Sequence, residues 1–164
     1  MQVIILSESA FKNSSINEDD VIISIVSPEK DHPRPTVNCL KRLDIEFHDV
    51  MWENAVSTDS IYMPAGMTDQ QAMDIAMFAS EWVPKAGRLI VHCEAGVSRS
   101  AGVAVGIARY LLNDEDENAI RDHSPHFNVF VASKIWKAFR ELEECQSDQM
   151  GSLGKRCGVK ATQV

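Results

Sequence analysis

The chain has 164 residues, 45% of them hydrophobic and 24% charged, a balance that suits a single globular domain with a proper core and gives no reason to look for a second one. Its formal net charge of −8 excludes a protein whose main business is gripping nucleic acid or an anionic membrane, because those surfaces select lysine and arginine. Four cysteines, Cys39, Cys93, Cys145 and Cys157, show no C-x-x-C spacing and no signal-peptide pattern, so the expected setting is a reducing cytoplasm.

Met1 to Leu6 contains the apolar run Val3-Ile4-Ile5-Leu6 and predicts a first strand. Ser7 to Asp20 is polar and reads as a connection. Val21 to Val26 is β-branched at five of its six positions, the strongest strand signal in the chain, and Ser27-Pro28 halts it. Pro33 and Pro35 stiffen the loop that follows, and Val37 to Leu43 predicts one or two helical turns. Asp44 to Val50 alternates polar and apolar residues as a strand does, then runs into a polar stretch from Met51 to Gly66. Thr68 is an N-cap with Gln71 as its capping-box partner, and Ala72, Ile75, Ala76, Ala79, Trp82 and Val83 recur on one helical face. Met67, Met73 and Met77 read as gap fillers. Pro84 to Gly87 ends that helix and turns the chain.

Leu89-Ile90-Val91 is the short apolar run of a fully buried strand. Ser100 to Leu112 is apolar on nearly every face, a buried helix too short to cross a bilayer. Between them lie Cys93, five residues, and Arg99. A loop feeding a helix N-terminus leaves backbone N–H groups without intrahelical partners, and with the helix dipole they favour bound negative charge. Phosphate is the expected guest, held by the loop from Glu94 through Ala95, Gly96, Val97 and Ser98. The same dipoles favour thiolate over thiol at Cys93, giving a nucleophile that needs no separate base. Arg99 supplies a planar fork of donors for two phosphoryl oxygens. Gly96 lets the backbone curl inward, and Ser100 is placed to hydrogen-bond the sulfur when it leaves. His92 is expected to support the loop through a hydrogen bond, without acting as a base. The Glu94 carboxylate is expected at the rim, opposing very acidic substrates, and the loop has no lysine.

Asn113 to Asn118 is an acidic run that starts a short helix, with negative charge where the dipole welcomes it. His123 and His126 lack a third ligand of matching type and are not read as a metal site. Val129 to Glu144 predicts a closing amphipathic helix with Val131, Ile135, Trp136, Phe139 and Leu142 inward. Residues 146–164 lose this periodicity and read as a disordered tail holding Cys157 as a free thiol, which leaves 1–145 as the folded domain.

The stretch His92-Cys93-Glu94-Ala95-Gly96-Val97-Ser98-Arg99-Ser100 resembles the signature loop of the cysteine-dependent protein tyrosine phosphatases, above all the compact dual-specificity branch, and the likeness extends from about Val21 to Glu144. It is similar in particular to small phosphatase-like proteins of bacteria and their phages. The resemblance implies an α/β domain with a central, mostly parallel sheet of four to five strands flanked by helices. It also implies a phosphocysteine on Cys93, oxyanion binding by loop amides and Arg99, no metal and no cofactor. An aspartate acts first as acid and then as base in that family, on a movable loop after the strand preceding the long helix. Asp49 matches that position, with Val50, Met51 and Trp52 flanking the substrate, and Asp59 is the rival. The family also places an adjacent proline-asparagine pair before the last helix to buttress the phosphate loop. Here two residues separate Pro125 from Asn128, so that role is not carried over. The expected substrate is a phosphorylated protein or peptide, phosphotyrosine and also phosphoserine or phosphothreonine under dual specificity. The loop's composition disfavours inositol lipids. A phosphate-binding interaction module without a positioned acid is the alternative from another class. A sulfur transferase or arsenate reductase fits less well, since neither chemistry calls for an acid loop over the site and arsenate reduction wants a resolving cysteine close by.

Overall fold

The computed structural model describes residues 1–35, 37–51 and 66–154. The apolar runs of the sequence become strands of a single parallel sheet. β1 (Gln2–Ser7) is followed by a short helix α1 (Glu8–Lys12), then β2 (Asp20–Val26) and β3 (Lys41–Glu46). Helix α2 (Asp69–Trp82) ends in a 3-10 turn at Val83–Lys85 and leads to β4 (Arg88–Cys93). Three helices complete the chain: α3 (Arg99–Leu111), α4 (Asp114–His123) and α5 (Val129–Gly154). The four strands lie in the order β1-β4-β2-β3, so the last strand in sequence is an inner one. β2 and β4 are apolar along most of their length because both faces are covered, whereas β3 carries its charges at a sheet edge.

Side chains alternate between the two faces. Val21, Ile23, Ile25, Leu89, Val91 and Cys93 point into the main core with α2, α3 and α5. Ile22 and Ile90 point the other way and pack with Phe11 of α1 and Ile16. The strand starts are tied at the end of the sheet remote from Cys93, where the Arg88 Nε donates to Asp20 Oδ1 at 2.7 Å and its Nη2 to Oδ2 at 2.6 Å. Among the described residues no helix is long and apolar enough to cross a membrane.

Several sequence expectations need correcting. Val37 to Leu43 forms no helix: Leu40 N–H donates to the Asp20 carbonyl at 2.9 Å, and β3 begins at Lys41, paired with Val21. Cross-strand hydrogen bonding to β2 outweighs local propensity there. β3 consequently ends at Glu46, and Phe47 to Val50 lies in the loop beyond it. The connection after Ser7 contains α1, capped by the Ser7 hydroxyl accepting from Ala10 N–H at 3.1 Å and pinned by the buried Phe11. Helix α5 runs past Glu144 to Gly154. Met77 is exposed and fills no gap. The capping box of α2 is present as read, Thr68 and Gln71 bonding each other's backbone N–H. Trp52, Asp59 and Cys157 lie outside the described residues.

Candidate active site

β4 ends at Cys93 and α3 begins at Arg99, so an inner strand delivers the thiol to the C-terminal edge of a parallel sheet, where open α/β folds bind ligands. The loop between them turns on Gly96, whose φ of 72° is a left-handed value. A Cβ there would stand 2.5 Å from the Ser7 backbone nitrogen, so sterics alone demand glycine. The turn aims the Gly96 N–H at Cys93 Sγ, 3.3 Å away, while the Ser100 hydroxyl lies 3.2 Å from the same sulfur. Gly96 N–H donates to the sulfur, whereas in the second contact either the Ser100 hydroxyl or the thiol can be the donor. Loop and neighbours are stitched by Glu8 N–H to the Glu94 carbonyl at 3.2 Å and Asn128 N–H to the Ser98 carbonyl at 3.1 Å. Gly102 permits the second contact, since a Cβ would sit 2.6 Å from the Asn128 carbonyl oxygen. A groove of about 710 Å³ between β1 and α4 meets the loop at Gly96.

The Arg99 side chain is buried, though it starts a helix, and folds back across the loop. Its Nη1 donates to the Phe47 carbonyl at 2.9 Å and to the Ser27 hydroxyl at 3.3 Å. Its Nη2 donates to Glu94 Oε2 at 2.9 Å. Lys30 holds the other carboxylate oxygen, and the Ser27 hydroxyl donates to Oε2 at 3.2 Å. Hydrogen bonds from Lys30 and then Arg99 outweigh burial and bring the Glu94 carboxyl down to about 2. The expectation of a carboxylate opposing substrate at the rim is therefore wrong: Glu94 is neutralised by two cations. The lysine missing from the loop is supplied from outside it.

Asp49 is brought to the loop by two donors, the Ser98 hydroxyl and the Asn128 side-chain amide, each 2.7 Å from Oδ1. Asn128 is fully buried, and its Nδ2 also donates to the Val50 carbonyl at 3.0 Å while its Oδ1 accepts from Val131 N–H at 3.0 Å. Asn128 thus buttresses the loop in spite of the interrupted proline-asparagine spacing. The residues Phe127 and His126 only lengthen a turn that still ends at the N-cap of α5.

His92 makes no hydrogen bond within the loop. It is fully buried, stacks on Phe11 with centroids 4.0 Å apart, and neither ring nitrogen has a partner among the described residues. Burial first, then the nearby Arg42 and His32, push its pKa down to about 4, so it packs as a neutral ring. Ala95 and Val97 face solvent from the loop. His123 caps the end of its own helix through Nδ1 and the Ala119 carbonyl at 2.7 Å, and no cluster of three potential metal ligands occurs among the described residues.

The sequence brought out Cys93, Gly96, Ser98, Arg99 and Ser100 together with Asp49, and the structure collects them at one loop. It missed Ser27 and Lys30, because a serine and a lysine in a proline-bounded loop carry no pattern that links them to a glutamate more than sixty residues on.

No protein-family model and no curated protein matches the sequence. Solved structures do. Human DUSP28 is 16% identical over 87% of this chain and 94% of its own, with a TM-score of 0.52. A mouse dual specificity phosphatase structure, complexed with zinc tungstate, is also 16% identical, over 79% of this chain and 75% of its own, with a TM-score of 0.50. The parallel sheet, the strand-to-helix loop and the helices packed around them therefore form the α/β fold of the dual-specificity phosphatases.

Proposed function

We propose that the protein is a phosphomonoesterase acting on phosphorylated tyrosine, and on serine or threonine under dual specificity, in proteins or peptides. One observation carries the reading: the loop from Cys93 to Arg99 holds a thiol hydrogen-bonded to Gly96 N–H and to the Ser100 hydroxyl, carries a guanidinium at its end, and bonds the Asp49 carboxylate through Ser98. The Cys93 thiolate attacks phosphorus, the bond to the leaving oxygen breaks, and Asp49 gives that oxygen its proton. Loop amides and Arg99 stabilise the charge on the equatorial oxygens. Water then attacks the phosphocysteine, Asp49 takes its proton, and the P–S bond breaks while Ser100 donates to the departing sulfur. The tungstate of the mouse relative is a tetrahedral oxyanion shaped like the phosphate proposed for this loop. A nucleophilic thiol requires reducing conditions, which agrees with a cytoplasmic setting. We place this activity in residues 1–145.

Hydrolysis of a small aryl phosphate by wild type, Cys93→Ser and Asp49→Asn tests the proposal. Cys93→Ser should be inactive. Asp49→Asn should lose about a hundredfold or more on poor leaving groups and less on good ones. Equal rates for all three would refute the enzymatic reading and leave a phosphate-binding interaction module. An unchanged leaving-group dependence in Asp49→Asn would move the acid role to another carboxylate.

A further inference from the structure

We propose that Glu94 is the positioning residue for Arg99 and that Lys30 anchors it, a clasp that fixes the guanidinium by one edge and keeps the other edge for oxyanion. The inference rests on the phosphatase reading above, and it assigns a function to a carboxylate that would otherwise repel the substrate.

The donor inventory of Arg99 carries the argument. A guanidinium has five N–H donors in a fixed plane. Nη1 uses its two on the Phe47 carbonyl and Ser27 hydroxyl, at 2.9 and 3.3 Å, and Nη2 uses one on Glu94 Oε2 at 2.9 Å. The Ser27 hydroxyl donates in turn to that same Oε2 at 3.2 Å, so Nη1, Ser27, Glu94 and Nη2 close a ring around the end of the guanidinium. What remains is the Nε–H and the second Nη2–H, neighbours on the lateral edge. Nε is buried and has no partner among the described residues. A buried donor without an acceptor is costly, and two parallel donors match two oxygens of a tetrahedral anion.

Lys30 explains why a glutamate is tolerated here. An unpaired carboxylate beside the cradle would raise the energy of a bound dianion. Lys30 bonds Oε1, the oxygen that Arg99 does not use, and its own place is set by Lys30 N–H donating to the Ser27 carbonyl at 2.9 Å. One short turn after β2 thus supplies both the serine that ties the ring and the lysine that balances its charge. The Glu94 carboxyl, lowered to about 2, stays ionised throughout the working range of pH, so the clasp does not open on mild acidification.

The test measures tungstate binding by calorimetry in a Cys93→Ser background, alongside turnover of a series of aryl phosphates. Glu94→Ala should weaken tungstate binding and raise KM by roughly tenfold, with the leaving-group dependence unchanged because Asp49 is untouched. Glu94→Gln should lose less, since its amide oxygen still accepts from Nη2. Lys30→Ala, at a largely exposed side chain, should lose about threefold in the same direction. Adding it to Glu94→Ala should cost nothing further, because Lys30 acts only through Glu94. Tungstate affinity unaltered by Glu94→Ala, or losses that add in the double variant, would overturn the clasp while leaving the phosphatase reading intact. Should Glu94→Ala fail to fold, Glu94→Gln and Lys30→Ala decide the matter by the same readings. A parent protein that neither binds tungstate nor turns over aryl phosphate would overturn both.

Discussion

Replacing Asn128 by alanine separates two things that this side chain does at once. Its Oδ1 caps α5 through Val131 N–H, and loss of such a cap costs about 1 kcal/mol. Its Nδ2 serves both Asp49 Oδ1 and the Val50 carbonyl, and removing those hydrogen bonds costs about 1–2 kcal/mol more. The total of about 2–3 kcal/mol lowers Tm by roughly 5–10 °C in a domain of this size. Asp49 keeps its Ser98 anchor at 2.7 Å, so acid catalysis should weaken without vanishing. We expect about a tenfold loss on phenyl phosphate, a poor substrate for departure, and little change on nitrophenyl phosphate, measured well below Tm. A thermal melt followed by circular dichroism supplies the first number and steady-state kinetics the second. A variant that melts early yet keeps the wild-type ratio between the two substrates would refute the claim that Asn128 positions Asp49.

Three further outcomes are expected. Gly96→Ala places a methyl group against the Ser7 backbone at a left-handed φ, so it should destabilise by about 1–3 kcal/mol and abolish turnover, whereas Ala95→Gly, at an exposed loop position, should leave Tm within about a degree of wild type. The His92 pKa is depressed to about 4 by burial, so the unfolded chain binds its proton first as pH falls below about 6.5; stability should decline by on the order of 2–3 kcal/mol between pH 6.5 and 4, and urea titrations should find that slope flattened in His92→Phe. Burial raises the Asp20 carboxyl, but the hydrogen bonds and charge of Arg88 with the Asn17 amide outweigh it, so its net pKa is lowered; its contribution is complete above the unfolded value and is lost as pH falls through the folded one. Arg88→Met leaves that buried carboxylate unpaired and should cost about 3 kcal/mol at neutral pH, with the deficit shrinking in acid.

The parts of the fold that sequence made legible are those where local chemistry and tertiary context agree. The buried strand before Cys93, the all-apolar helix after Arg99 and the Thr68 capping box are encoded within a few residues of each other. β3 was placed three residues late because its register belongs to β2: nothing in Lys41 to Leu43 announces a strand until Val21 to Ile23 lies beside it. The same limit applies at the site. Cys93, Gly96, Arg99 and Ser100 lie on one contiguous stretch and could be read together. Asp49 is legible only through a family likeness, and Asn128 escapes it because two extra residues part the proline from the asparagine without moving the asparagine from the start of α5. Glu94 was misplaced because a carboxylate shows its charge in the sequence but not its partners. Ser27 and Lys30, which reverse the sign of its environment, arrive through the packing of β2 beside β4.

The place where an oxyanion binds tests the proposed chemistry most directly. A crystal soaked in orthovanadate should show vanadium bonded to Cys93 Sγ, two of its oxygens accepting from the lateral edge of Arg99, and Asp49 on the side opposite the sulfur. An empty loop, or vanadate held elsewhere on the protein with Cys93 bare, would contradict it.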